Sequence, residues 1–135
     1  MTGRPAENEP EAVVSAFNRC INGRDLEGLV ALMAEDHTLI DSARRTITGK
    51  KACRGAWEAF FRQFPDYRNI FERMVTRGHR VAVVGRAVSS DPRLHGPALW
   101  SATVIEGRVA EWRVWEDTRA NRVRLGLTRG EEPVD

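Results

Sequence analysis

Two residues in the first half of the chain, His37 and Asp41, have the types and spacing for acid–base chemistry. The segment His37-Thr-Leu-Ile-Asp-Ser42 follows a short amphipathic stretch and predicts a β-strand. Side chains alternate along a strand, so His37, Leu39 and Asp41 share one face. In an apolar pocket the pKa of Asp41 would rise, which suits a general base, and His37 could shuttle the proton. The alternatives are an Asp41 that is solvated or caps the next loop, and a His37 at the surface.

Metal and thiol chemistry have less support in this sequence. The three histidines lack carboxylates at ligand spacing, so we expect neither a metal site nor a cofactor. Cys20 and Cys53 are too few and too far apart for a metal motif or a disulfide framework. Both fall on apolar helix faces, as buried thiols do. Cys53 keeps an alternative as a nucleophile, because it follows Lys50 and Lys51 in a first helical turn.

The composition is that of an ordinary soluble domain. The 135 residues, 41% hydrophobic and 30% charged, suffice for one domain with its own core. Acidic and basic residues are interspersed at a net charge of +2, which argues against nucleic-acid binding. No apolar run approaches the roughly 18 residues of a membrane span, so no membrane partner is expected. Without an apolar signal segment, a cytoplasmic location is expected.

Three helices are predicted in the first half of the chain. Asn8 to Glu11 has the residues of a helix start, and Asn22-Gly23 ends that helix. Asp25 caps a second helix, and Thr48 or Gly49 opens a third. Helical spacing gives each a buried face: Val13, Val14, Phe17, Cys20 and Ile21; then Leu26, Leu29, Val30 and Met33; then Cys53, Ala56, Trp57, Phe60 and Phe64.

The second half of the chain predicts a meandering sheet. Strand patterns run from Arg68 to Arg77, Arg80 to Ser89, Pro97 to Ile105 and Arg108 to Glu116. With the strand at His37 the order is α-α-β-α-β-β-β-β, and helices segregated from a mostly antiparallel sheet give the α+β class. One domain is expected over residues 9–127, between a disordered lead-in at 1–8 and a tail at 128–135.

Both faces of this sheet carry apolar residues. In one strand Val81 and Val83 lie on one side, and Ala82, Val84 and Val88 lie on the other. The helices cover one face, and the other needs a second cover. A partner subunit is the simplest cover, so the pattern predicts a homodimer through the outer sheet face.

Four segments, together with the order of elements, resemble the nuclear transport factor 2-like superfamily over about residues 10 to 127. They are GRDLEGLVALMAED at 23–36, FPDY at 64–67, GHRV at 78–81 and GRVAEWRVWED at 107–117. The second and the last are most similar to SnoaL-like members, relatives of the polyketide cyclases and ketosteroid isomerases. The resemblance implies a cone-shaped α+β barrel, in which a curved sheet wraps on three N-terminal helices around an apolar pocket, usually in a dimer.

The resemblance to the ketosteroid isomerases implies roles for four residues. Asp41 occupies the place of the general base. The oxyanion-hole tyrosine falls on Phe17, its second donor near Trp100, and the supporting tyrosine near Trp57. Phe17 cannot donate a hydrogen bond, so steroid isomerisation itself is not expected.

The resemblance to the limonene epoxide hydrolases concerns the last strand. Their catalytic aspartate falls on Val114, which argues against epoxide hydrolysis. Alternation puts Trp112, Val114 and Glu116 on one face and Arg113, Trp115 and Asp117 on the other. The comparison turns the first face toward the pocket, and Arg113 and Trp115 would then face the partner subunit. Polyketide cyclases use a pocket aspartate near this strand, and both Asp41 and Asp117 are candidates for its counterpart.

The first functional hypothesis is a SnoaL-like enzyme without a cofactor. It would cyclise, isomerise or dehydrate a small, apolar, carbonyl-bearing substrate, with Asp41 as base and His37 as auxiliary. The residues expected to contact this flat apolar or aromatic ligand are Phe17, Trp57, Trp100, Trp112, Val114 and Glu116. The alternative is a non-catalytic ligand-binding or dimerisation module, because a fold does not determine a function.

Overall fold

A computed structural model describes residues 9–128, and the predicted lead-in at 1–8 and all but the first residue of the predicted tail lie outside them. The described part contains helices α1 (Pro10–Asn22), α2 (Leu26–Ala31), α3 (Lys50–Gln63) and α4 (Arg119–Leu125), and strands β1 (Met33–Ile40), β2 (Thr46–Thr48), β3 (Arg68–Arg77), β4 (Arg80–Val88), β5 (Gly96–Ile105) and β6 (Arg108–Trp115). None of these helices is long and apolar enough to cross a membrane.

The strands form one open, mixed sheet in the order β2-β1-β6-β5-β4-β3. β1 runs parallel to β6, and the other neighbours pair antiparallel. The predicted α+β class with a cone-like fold is confirmed. Two local predictions differ from the structure. β1 begins at Met33, which we expected in a helix, and Thr46–Thr48 pairs with the end of β1 where a loop was expected.

The helices begin and end where the sequence places their caps. Pro10 occupies the first turn of α1, and Gly23 follows its end. The Gly28 N–H donates to Asp25 Oδ1 at 3.0 Å, which caps α2. Gly49 precedes α3 with φ +102°, a conformation that residues with a Cβ rarely adopt.

The main core lies between the helices and the inner face of the sheet. Its largest buried side chains come from α1, α3, β5 and β6, which explains why the aromatic residues of these elements meet. The buried members are Val13, Val14, Phe17, Ile21, Leu29, Met33, Cys53, Trp57, Tyr67, Val81, Val83, Ala87, Trp100, Ala102, Val104, Val109 and Trp112.

The outer face of the sheet is covered in part by the chain's own C-terminal helix. Leu125 and Leu127 pack on Ala82 and Val84, the residues that suggested a partner subunit. The Arg73 guanidinium donates to the Leu127 carbonyl oxygen at 2.6 Å and fixes the end of the helix on β3. This apolar patch therefore needs no second subunit, so its pattern alone does not support the predicted dimer.

Candidate functional site

His37 is completely buried and is held both by its backbone and by its ring. The β1–β6 pairing is irregular between Met33 and Thr38, which frees His37 from the regular register. The Gly49 N–H donates to the His37 carbonyl oxygen at 2.7 Å. The imidazole Nδ1 lies 2.6 Å from the Val109 carbonyl oxygen, which can only accept. Nδ1 therefore carries the proton.

The other ring nitrogen of His37 is an unused acceptor. Its Nε2 is buried and has no hydrogen-bond partner among residues 9–128. Burial lowers the pKa of His37, against the smaller opposing effects of the Val109 carbonyl and Asp36. The ring is therefore neutral near neutral pH, with a bare Nε2 lone pair. Such a group can act as a base without first losing a proton to water.

An aromatic ring lies beside this imidazole, and further rings pack against that one. Phe17 lies at their centre, with its centroid 4.6 Å from Trp112, 5.8 Å from His37 and 6.4 Å from Trp57. Phe71 lies 5.1 Å from Trp100 on the sheet side. The indole N–H groups of Trp57 and Trp100 are buried and have no acceptor. The described residues thus include an unused acceptor on His37 and unused indole donors on Trp57 and Trp100.

Asp41 has a different environment from the one we expected. Its Oδ1 accepts hydrogen bonds from the Ala43 and Arg45 backbone N–H groups at 2.9 Å each, and its Oδ2 pairs with the Arg45 guanidinium at 2.7 Å. The side chain is 38% exposed. Burial raises its pKa somewhat, but the bonds from Arg45 and Ala43 outweigh that and hold the pKa below its ordinary value. Asp41 caps its loop, because its carboxylate meets these N–H donors within the turn.

The predicted alternation of β6 holds, but its second carboxylate is absent from the interior. Trp112 is 1% exposed in the core, and Val114 pairs in register with Trp100. Glu116 is exposed, beyond the end of the strand. Asp117, the other candidate carboxylate, forms an ion pair with Arg122 of α4 at 2.7 Å.

The side chains of the core pack against one another in the interior. Two surface depressions in residues 9–128 lie away from it, one lined by Glu35 and residues 48–52 and the other by residues 34–36, 105, 106, 108 and 110. Within the same residues no cluster of side chains could hold a metal ion. Phe60 and Phe71 are half-buried and pack against this core.

A second buried polar group, which the sequence analysis did not predict, lies beside these rings. Asn69 of β3 is 2% exposed and packs on Asn18 and Asn22 of α1. The only sequence signal for it is a pair of asparagines, four positions apart, on a helix that also carries the core residue Phe17.

The family model of the SnoaL-like domain matches residues 14–122 of the chain. The chain belongs to the SnoaL-like family. The predicted SnoaL-like membership within the nuclear transport factor 2-like superfamily is thereby confirmed. No curated protein matches this SnoaL-like chain.

Several solved structures share the SnoaL-like fold at low sequence identity. A candidate polyketide cyclase from Sinorhizobium meliloti is 18% identical with a TM-score of 0.71, over 81% of this chain and 97% of that one. TerC, co-crystallised with polyporic acid, is 18% identical with a TM-score of 0.67, over 87% and 98%. An LEH-like epoxide hydrolase from Mycobacterium tuberculosis is 16% identical with a TM-score of 0.70, over 80% and 78%. These likenesses show the fold that the chain shares with them.

Proposed function

We propose that the chain is a small-molecule enzyme of the SnoaL-like type, in which His37 is the general base of a cofactor-free reaction on a carbonyl-bearing ring compound. One observation carries this proposal. The imidazole is fully buried, its Nδ1 is tied to the Val109 carbonyl and its Nε2 has no partner. This is the arrangement of an oriented base that awaits a proton donor.

The reaction begins with proton transfer from the carbon next to the substrate carbonyl. His37 Nε2 takes this proton, the electron pair moves to the carbonyl oxygen, and an enolate forms. The indole N–H of Trp57 or Trp100 donates to that oxygen and replaces the tyrosine donor that Phe17 cannot supply. The imidazolium then delivers a proton to another carbon or to a leaving hydroxyl group, which gives isomerisation or dehydration. Exchange results when the Nε2 proton is first replaced by one from solvent and that proton is delivered to the original carbon.

The remaining residues of the proposed site serve as walls. Phe17, Trp112 and Val114 lie on the inner side of the cone and would contact a flat ring. Binding of polyporic acid by TerC supports a flat aromatic ligand for this fold. Asp41 and Glu116, two of the expected site residues, take no step in this reaction, because one caps its loop and the other is exposed.

The test is proton exchange on a simple ketone. We expect the protein to speed replacement of the α-hydrogens of 1-tetralone by deuterium in D₂O, measured by proton NMR. His37→Asn keeps a side-chain N–H for the Val109 carbonyl but removes the Nε2 base, so exchange should fall by about 10²-fold or more. Asp41→Asn is the matched control and should keep the wild-type rate. If Asp41→Asn loses exchange and His37→Asn keeps it, Asp41 is the base and this proposal is wrong.

The second candidate function is a non-catalytic ligand-binding module of the same fold. The environment of Asp41 favours it, because the carboxylate expected to be the base caps the loop after β1 instead. Such a module would bind 1-tetralone without speeding its exchange above the rate of the His37→Asn variant.

We also propose a homodimer through the outer sheet face and a cytoplasmic location. Arg113 and Trp115 support the dimer. They are only partly buried on that face, and the guanidinium stacks 3.7 Å from the indole centroid. A monomer in sedimentation equilibrium at micromolar concentration would refute the dimer.

A further inference from the structure

Three asparagine side chains form a buried hydrogen-bonded cluster between α1 and β3. The Asn22 amide accepts from the Asn69 backbone N–H at 2.8 Å and donates to the Asn69 carbonyl at 2.9 Å. The Asn18 amide donates to the same carbonyl at 3.3 Å. Asn69 Nδ2 donates to Asn18 Oδ1 at 3.2 Å. Most of the cluster is therefore satisfied within the protein.

One atom of the cluster is left over. Asn69 Oδ1 is buried and accepts no hydrogen bond. Because Nδ2 is committed to Asn18, the planar amide points its oxygen away from that partner. A buried acceptor without a donor is costly, and native proteins seldom leave one without a reason. The fixed amide therefore presents an acceptor that no donor in residues 9–128 meets.

The cluster borders the same aromatic interior as His37. Asn69 lies two residues before Phe71 on β3, hence on the same face, and Asn18 follows Phe17 on α1. Tyr67 contacts Phe60 at 4.8 Å, and Phe60 contacts Trp57 at 5.7 Å. Rings thus connect the two polar regions without a break.

Tyr67 adds a neutral hydroxyl group to this region. Burial raises the pKa of Tyr67 to about 12, although the Asn69 side chain donates a hydrogen bond to the phenol oxygen, which acts in the opposite direction. No charged group belongs to the cluster itself. Its chemistry suits a neutral hydroxyl or N–H group better than an anion.

We propose that Asn69 Oδ1 is a second polar subsite, which accepts a hydrogen bond from a hydroxyl group at the end of the substrate ring remote from its carbonyl. The proposal rests on the proposed function, because it places the carbonyl at the indole donors and His37. The ring between the two ends takes the space now filled by Phe60 and Phe71. The substrate class is then a hydroxylated bicyclic or larger aromatic ketone.

Three matched probes test this subsite. We would use calorimetry on the free protein to measure the Kd of 1-tetralone, 6-hydroxy-1-tetralone and 6-methoxy-1-tetralone. One added neutral hydrogen bond should make the hydroxyl probe about fivefold to tenfold tighter than 1-tetralone. The methoxy probe cannot donate and should bind no better than 1-tetralone. Equal affinities of all three would overturn the subsite.

Two variants assign the preference to one atom. Asn69→Ala removes Oδ1 but keeps the backbone groups that pair with Asn18 and Asn22, and it should abolish the preference for the hydroxyl probe. Asn22→Ala disturbs the same cluster, keeps Oδ1 and should retain the preference. A preference that survives in Asn69→Ala overturns the assignment. If Asn69→Ala fails to fold, the comparison of the three probes on the wild type still decides.

The failure of this subsite can be told apart from the failure of the proposed function. If 1-tetralone exchanges through His37 but the hydroxyl probe has no advantage, the subsite is wrong and the enzyme proposal stands. If the advantage depends on Asn69 while exchange does not depend on His37, the subsite stands and the enzyme proposal is wrong. If no probe binds, both are wrong.

Discussion

Replacing His37 by asparagine should remove a defined part of the pH dependence of stability. Burial lowers the pKa of His37 in the folded protein, whereas the unfolded ring titrates near its ordinary value of about 6.5. Between those two values the unfolded chain binds one proton that the folded chain does not. The free energy of unfolding therefore rises with pH in that window. It falls again as the pH drops from about 6.5 toward the pKa of His37 in the folded protein.

The size of the effect follows from one proton. The free energy of unfolding should change by at most about 1.4 kcal/mol per pH unit in the window. His37→Asn removes the titration but keeps an N–H donor for the Val109 carbonyl, so its curve should lack this slope. The difference in free energy of unfolding between the wild type and His37→Asn then grows as the pH falls below about 6.5. It is constant above that pH.

Urea denaturation followed by tryptophan fluorescence measures this difference. The chain has four tryptophans, of which Trp100 and Trp112 are almost completely buried. His79→Asn, at an exposed histidine in the β3–β4 turn, is the control and should reproduce the wild-type slope. If the wild type and His37→Asn differ by the same free energy at every pH, the buried neutral imidazole is refuted.

Five substitutions test the fold and the interior. Asp41→Asn should cost about 1 kcal/mol or less in urea denaturation, because its ion pair is exposed. Gly85→Ala should destabilise by about 3 kcal/mol or more, because a Cβ there would overlap a backbone carbonyl of β3; a loss below about 1 kcal/mol would contradict the close strand approach. Phe71→Ala should lower stability by up to about 3 kcal/mol yet strengthen 1-tetralone binding in calorimetry, since it opens the space beside Trp100. Leu125→Ala should lower the free energy of unfolding by about 2–5 kcal/mol, because Leu125 is buried under α4. Val123→Ala should lower it by less than about 0.5 kcal/mol, because Val123 is exposed. Equal losses would contradict the docking of α4 on the sheet.

The sequence predicts the β-meander well because its signals are local. The strand predicted from Arg68 to Arg77 is observed with the same bounds, and Glu106-Gly107 forms the hairpin turn with positive φ at both residues. The extra length of β1 and the pairing of β2 depend on neighbours far along the chain. The docking of α4 on the outer face likewise needs the sheet to exist first.

The site is predicted only in part, for the same reason. Alternation puts His37 on the same face as Leu39, but it predicts neither the complete burial of His37 nor the carbonyl of β6 that orients the ring. The environment of Asp41 is decided by the turn that follows, where its carboxylate meets the Ala43 and Arg45 N–H groups. Asn69 gives almost no sequence signal, because its burial arises from the packing of α1 on β3.

The most direct test of His37 as the base is a crystal structure with 1-tetralone bound. The α-carbon of the ketone should lie within about 3.5 Å of His37 Nε2, and the carbonyl oxygen should accept from the indole N–H of Trp57 or Trp100. A ketone bound beside Asp41, or in the surface depression lined by residues 48–52, would contradict the proposed site.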